Sequence, residues 1–163
     1  MGLMIERIKS GNSKRLIKQI GAQFGCDEKT FLESFREFAL LRNKDKIYLV
    51  RKEAVLFIEE GLRINNIGLY FCKEEEEGIR LSVEGSYFVE PCAGKNILEL
   101  SKDSAIEWMQ GKDIQGDFSG YDIYVIIKYK TLVLGCGKIT KDKKVLKNFL
   151  PKERITYSDL PFP

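Results

Sequence analysis

The stretch SKDSAIEWMQGKDIQGDFSGYDIYVIIKYKTLVLGCGKITKDKKVLKNFLPKER, residues 101–154, decides how this chain is read. Ser101 has the side chain of a helix N-cap. Ala105, Ile106 and Met109 share one face of a helix over 102–109, and Gly111 stands where a terminating glycine belongs. The spacing predicts a short helix with a sharp exit. A polar, Gly-rich segment follows, Gln115-Gly116-Asp117-Phe118-Ser119-Gly120. Two runs rich in β-branched and aromatic residues come next, 121–127 and 131–134, separated by Lys128-Tyr129-Lys130. They predict a hairpin. Its second strand is expected to continue through Gly135-Cys136-Gly137-Lys138, where the glycines mark a bulge or a close approach of another backbone or a ligand.

Charge concentrates at this end. From Lys138 to Arg154 seven basic residues (Lys138, Lys141, Lys143, Lys144, Lys147, Lys152, Arg154) stand against two acids, Asp142 and Glu153, whereas the whole chain carries only +3. The remainder is therefore slightly acidic. A localised basic patch on a near-neutral protein is the footprint of a phosphate-backbone binder. The competing reading is a solubilising surface or a strand edge guarded by lysines.

Outward from this stretch, the first 45 residues read as helical. Residues 13–24 put Leu16, Ile17, Ile20 and Phe24 on one face, with Gly25 closing the helix. Asp27 can cap a second helix over 28–38 that carries Phe31, Phe35 and Phe38 on one face; at helical spacing such a stripe is a core face rather than a cofactor or stacking platform. A strand over 47–50, a helix over 53–62 with Val55, Leu56, Ile58 and Leu62 inward, and strands over 67–72 and 79–83 follow. Four glutamates, Glu74 to Glu77, fall between the last two strands and read as a solvated hairpin tip that would repel nucleic acid locally. Pro91, Gly94 and Asn96 mark a boundary, giving an N-terminal unit over 1–92, a C-terminal unit over 93–157 and a loosely packed tail over 158–163.

The search for chemistry returns mainly exclusions. The chain has no histidine, which removes Ser-His-Asp and Cys-His catalysis and His metal sites. Gly137-Lys138 is followed by Ile139 and lacks the upstream glycine of a phosphate-binding loop, and no Gly-x-Gly-x-x-Gly occurs. Cys26, Cys72, Cys92 and Cys136 form no Cys-x-x-Cys pair and read as buried reduced thiols, with a disulfide or metal site as the alternatives. No apolar run reaches the length that spans a bilayer, and the N-terminus lacks a signal-peptide core, so a cytoplasmic protein without membrane partners is expected. No catalytic residue, metal or cofactor is assigned, and the chain reads as a non-enzyme.

The order of the helix, Gly111-Lys112-Asp113-Ile114, the hairpin with Leu134-Gly135-Cys136-Gly137-Lys138, and Leu146-Lys147-Asn148-Phe149-Leu150-Pro151-Lys152-Glu153-Arg154 resembles a PUA domain. This RNA-binding module is named after pseudouridine synthases and archaeosine transglycosylases. The Lys-Asn, Leu-Pro-Lys and Arg run is most similar to the PUA-like tail of Fmu/Sun-type rRNA cytosine-5 methyltransferases. Upstream, Lys46 to Val50, the helix from Glu53, Ile67 to Phe71 and Gly78 to Val83 resemble the pre-PUA domain of Nip-type ribosome biogenesis factors. No methyltransferase domain precedes this tail in the sequence, so methyl transfer is expected to need another chain.

The resemblance implies an α+β protein: an α/β pre-PUA-like N-terminal domain followed by a small, mostly antiparallel PUA-like β-barrel. It also implies binding of structured RNA, rRNA or tRNA, in ribosome biogenesis or RNA modification. By analogy with PUA domains the RNA would lie on Lys102, Gln110, Gly111 and Lys112 and on the facing Gly137 and Lys138. Lys141, Lys143, Lys144, Lys147, Lys152 and Arg154 would supply phosphate contacts, and Asn148 would reach a base or 2′-hydroxyl or else cap its local turn. Tyr121, Tyr124, Tyr129 and Phe149 are aromatics that either stack on bases or fill the barrel. The alternatives are a protein-interaction module and a trans-acting specificity subunit recruiting an RNA methyltransferase. Partners beyond RNA would be a ribosome assembly factor or an RNA-modifying enzyme.

Overall fold

Alternating apolar positions build two sheets that share a core. The computed structural model describes residues 5–59 and 68–156. The chain runs β1 (Glu6–Arg7), α1 (Ser10–Phe24), α2 (Glu28–Ser34), β2 (Phe38–Asn43), β3 (Lys46–Arg51), α3 (Lys52–Glu59), β4 (Leu69–Glu75), β5 (Gly78–Leu81) and α4 (Val83–Val89). A 3₁₀ turn (Glu90–Cys92) leads to β6 (Ile97–Glu99), α5 (Lys102–Met109), β7 (Ile114–Gln115), β8 (Tyr124–Tyr129), β9 (Leu132–Ile139), β10 (Val145–Lys147) and a last 3₁₀ turn (Lys152–Arg154). Strands β1 to β5 form an antiparallel meander. The other five lie in the order β6-β8-β9-β10-β7, antiparallel except for the β6–β8 pair, and make an open half-barrel. The protein is α+β.

Strand β8 explains how the halves meet. Its successive side chains point to opposite faces, yet Tyr124, Val125, Ile126 and Ile127 are all buried. Tyr124 and Ile126 pack with Phe24, Phe35, Phe71 and Ile79 of the first half. Val125 and Ile127 pack with Ala105, Trp108, Ile139 and Leu146 of the second. A sheet covered on both faces produces the continuous apolar run seen in the sequence.

The local signals of the C-terminal half are realised closely. The Ser101 hydroxyl accepts from the Ser104 N–H, α5 spans residues 102–109, and Gly111 adopts φ +82°. The glycine-marked bulge is present: the β8–β9 register shifts where Ile127 faces Gly135 and Lys128 faces Val133, and Gly135 takes φ +121°. The turn lies at Lys130-Thr131, so Lys128 and Tyr129 belong to the first strand.

The N-terminal half departs from expectation in several places. Helix α1 buries Leu16, Ile17, Ile20 and Phe24 and ends at Gly25 with φ +69°, as its pattern predicts. Helix α2 is capped by Asp27 but stops at Ser34. Phe38 instead opens β2: Phe35 packs edge-on against Phe31 and tilted against Phe88, and Phe38 reaches the same cluster edge-on through Phe88. Leu56 is 63% exposed rather than inward, with Phe57 beside it at 56%. Val83 starts α4, capped by Ser82, instead of ending a strand. The Ile58 side chain, Leu62, Ile67 and the 158–163 tail lie outside the described residues.

The cysteine expectation needs correction at one pair. Cys26 and Cys92 are disulfide-bonded, 66 residues apart in sequence with Cα atoms 5.0 Å apart, while Cys72 and Cys136 are free and buried. The turn after α1 is docked on the segment that joins the sheets. Gly94 and Lys95 donate their N–H groups to the Phe24 carbonyl, and the Asn96 amide donates to the Gln23 carbonyl at 2.8 Å. That docking sets the two sulfurs side by side, a proximity no local spacing encodes. Burial pushes the Cys72 and Cys136 thiols up, the latter to about 12, so both are held as inert packing groups.

Candidate nucleic-acid interface

The expected binding residues, Lys102 apart, fall into three groups once folded. The first lies where α5 ends. The Asn148 amide donates to the Trp108 carbonyl at 2.7 Å and the Lys112 carbonyl at 3.1 Å, and its oxygen accepts from the Leu150 N–H at 2.8 Å. Asp113 accepts from the Asn148 N–H at 2.8 Å and from Lys147 Nζ at 2.9 Å. Burial alone would raise the Asp113 carboxyl, but these two donors hold it below the usual range. Gln110, Gly111, Lys112, Lys147 and Asn148 therefore do converge, with Lys152 four residues along the chain. Within this group Asn148 serves the fold: its amide adds a second donor to the Trp108 carbonyl, which already accepts from the Gly111 N–H, and bonds the Lys112 carbonyl beyond the helix end.

The second group is the β9–β10 turn. Thr140 accepts from the Lys143 N–H at 2.9 Å, Lys143 adopts φ +62°, and its Nζ donates to the Tyr121 carbonyl at 2.6 Å. Lys141 and Lys144 extend from the same turn, and both are exposed. Lys102 stands apart from both groups, at the far end of α5, about 12 Å along an eight-residue helix axis.

The third group is occupied by the chain's own residues. Lys138 pairs with Glu77 and lies 3.9 Å from Glu75, with the Tyr124 ring beneath it. Arg154 pairs with Glu84, at the start of α4. Gly137 is buried, and a Cβ there would lie 2.6 Å from Leu146 Cδ1 and 2.9 Å from Trp108 Cη2. Its missing side chain admits the Trp108 indole, which donates to the Leu134 carbonyl at 3.1 Å. The close approach foreseen at Gly137 is made by core side chains, so the expectation of a ligand there is revised.

The glutamate run is revised for a related reason. Glu74 pairs with Arg42, Glu75 with Arg80 at 2.8 Å, and Glu77 with Lys138, so three of the four carboxylates are engaged rather than freely solvated. Glu75 also accepts from the Tyr124 hydroxyl at 2.5 Å. Burial pushes the Glu75 carboxyl up, but the Tyr124 and Arg80 bonds outweigh it and leave it below the ordinary range. The acidic turn of the first sheet thus neutralises part of the basic tail of the second. Among the aromatic candidates, Tyr124 and Tyr129 are core. Phe149 is 40% exposed, but the Arg80 guanidinium covers it at 4.1 Å.

What remains for a phosphate is a sparser surface than the sequence suggests. Lys102, Lys112, Lys144 and Lys152 are exposed, have no ion-pair partner among the described residues, and are joined by Lys141, which is 91% exposed although 4.0 Å from Glu77. No group of three or more metal-ligating side chains occurs among the described residues. No described helix is long and apolar enough to cross a membrane.

Residues 95–156, which span β6 to the last 3₁₀ turn, match the family model described as the methyltransferase RsmF PUA domain. The chain is also similar to proteins named ribosomal RNA small subunit methyltransferase F. It is 30% identical over 135 residues to that of Psychromonas ingrahamii, covering 76% of this chain and 28% of the relative. It is 30% identical over 99 residues to that of Aliivibrio fischeri, covering 61% and 20%, and 30% identical over 103 residues to that of Aeromonas hydrophila, covering 63% and 21%. The chain thus spans only about a fifth to just over a quarter of these relatives' length. A 76% share of this chain cannot fit within residues 95–156, so the first similarity extends into the N-terminal sheet. The chain carries a PUA domain of the kind found in methyltransferase RsmF and resembles the PUA-bearing part of Fmu/Sun-type rRNA methyltransferases.

Proposed function

We propose that this chain binds structured RNA in the service of rRNA modification, with small-subunit rRNA as its first target and tRNA as the second candidate. The observation that carries this reading is the match of residues 95–156 to a PUA domain whose exposed lysines, Lys102, Lys112, Lys141, Lys144 and Lys152, are mostly without intramolecular partners. The relatives' names point to the same substrate. Phosphate contacts would supply most of the affinity, and RNA shape would supply much of the selectivity. These 163 residues would act as a non-catalytic recognition unit in the cytoplasm, beside an active site contributed from elsewhere.

A second reading follows from the relatives themselves, all of which are methyltransferases and much longer than this chain. Here the chain serves as the specificity part of such an enzyme and recruits or orients its catalytic part. The variant Lys102→Glu/Lys144→Glu/Lys152→Glu separates binding from folding, because none of the three makes an ion pair among the described residues. At 100 mM salt its affinity for a small-subunit rRNA fragment should fall at least tenfold with an unchanged melting temperature. Full affinity in the folded variant would remove this surface from the interface. Methyl transfer to that fragment only on addition of a catalytic partner would favour the second reading.

A further inference from the structure

The concentration of charge in the C-terminal tail conceals a second basic region. Between Ile5 and Lys52 twelve basic residues stand against six acidic ones, a balance masked in the whole-chain charge by the acidic middle of the sequence. The fold gathers part of this excess around one cleft of about 770 Å³, bounded by β1, the first turns of α1, the outer face of α2 and the β2 edge. Arg7, Lys9, Lys14, Lys29, Arg36 and Lys52 border it. The one carboxylate on its wall, Glu33, is tied to Arg36 at 3.1 Å. Lys9, Lys14, Lys29 and Lys52 are exposed and have no ion-pair partner among the described residues. The first turn of α1 contains no acidic residue that would oppose an anion.

The floor differs in character from the rim. Half-buried Ile8, Leu32 and Phe38 present apolar surface between the cations. A rim of one sign over an apolar floor matches the general design for single-stranded nucleic acid: phosphates track the cations while a base lies on apolar or aromatic surface. The volume lies in the range that encloses ligand-sized groups. A rigid duplex, whose bases are stacked inside, would not use such a floor.

Resting on the RNA-binding reading above, we infer that this N-terminal cleft holds a single-stranded RNA segment, apart from the PUA surface, so that the chain grips RNA at two places. The juxtaposition of cations over apolar floor carries the inference. An acidic protein segment is the rival occupant that the rim charge alone would also fit.

The test uses the full chain and two probes, a twelve-nucleotide oligouridylate and a small-subunit rRNA fragment. Lys9→Glu/Lys14→Glu/Lys29→Glu should weaken oligouridylate binding at least tenfold. It should also make the slope of log K against log salt shallower by about 2, at about 0.7 per lost single-strand phosphate contact. Lys144→Glu/Lys152→Glu should leave oligouridylate binding intact and weaken the rRNA fragment. Should the charge-reversed cleft variant fail to fold, 4-thiouridine crosslinking on the wild-type chain gives the same answer, with crosslinks expected within residues 7–38. Oligouridylate binding unchanged in the folded cleft variant, or crosslinks only within residues 95–156, would overturn the cleft while leaving the RNA reading standing. Wild-type chain that binds neither probe at low salt would overturn both. Loss of poly-glutamate binding in the cleft variant, with RNA binding kept, would assign the cleft to an acidic protein instead.

Discussion

Gly137→Ala distinguishes a ligand-facing glycine from a core one. The added Cβ would lie 2.6 Å from Leu146 Cδ1 and 2.9 Å from Trp108 Cη2, both shorter than real Cβ contacts allow. Neither neighbour can retreat freely: Trp108 and Leu146 are both 0% exposed, and the indole is held by its bond to the Leu134 carbonyl. Overpacking of this kind costs about 1–3 kcal/mol. For a chain of this size that lowers the melting temperature by about 2–12 °C. Thermal unfolding followed by circular dichroism measures the loss, and RNA titration well below the transition should show affinity within twofold of wild type. A Leu146→Val partner should recover part of the loss, since coupled neighbours are non-additive. A Gly137→Ala chain that melts like wild type yet binds RNA tenfold more weakly would refute the packing argument and return Gly137 to the interface.

Other outcomes follow from the same geometry. Asn148→Ala removes the side-chain partner of the Lys112 carbonyl and the Leu150 N–H and one of two donors to the Trp108 carbonyl. It should cost about 1–3 kcal/mol, seen in denaturant unfolding, with little effect on RNA affinity. Glu75 has a folded pKa below its ordinary 4.5, so its contribution is fully present above that value and is lost as pH falls through the folded pKa. A melting series from pH 7 to 3 should therefore decline below about pH 4.5, and Glu75→Gln should flatten that part of the decline. Glu77→Ala removes a partner of Lys138 and Lys141; RNA affinity should rise at low salt, and an affinity that fell would count against the idea that this carboxylate competes with phosphate.

Local signals in this sequence were legible wherever one residue settles the backbone. Ser101, Gly111, Gly25 and Asp27 cap their helices as their chemistry requires, and the Gly135 bulge was foreseen. What the sequence hid was long-range. With α2 ending at Ser34, Phe35 and Phe38 both meet Phe88, more than fifty residues away, a contact no local spacing encodes. Leu56 has an apolar side chain at a helical position, but its fate is set by which face the sheet covers. The Cys26–Cys92 bond depended on the docking of α1 against residues 94–96.

The candidate site was legible in the same uneven way. Convergence of Gln110, Gly111, Lys112, Lys147 and Asn148 could be anticipated from motif order. Neutralisation of Lys138 and Arg154 could not, because their partners Glu77, in the β4–β5 turn, and Glu84, in α4, belong to the N-terminal half. The N-terminal cations escaped notice because they are spread over β1, two helices and the start of a third, and only folding gathers them. A running charge balance over residues 5–52 would have signalled them.

If exposed lysines of the PUA domain hold RNA by its phosphates, added salt must weaken binding in proportion to the number of contacts. Affinity of the full chain for a small-subunit rRNA fragment, measured across 50 to 300 mM salt, should fall with a slope of log K against log salt near −4 if five lysines are engaged at about −0.7 to −0.9 each. A slope of about −6 would fit added contacts from the N-terminal cleft. A slope close to zero, or no binding at 50 mM salt, would contradict the claim and leave the lysines as ordinary surface charge.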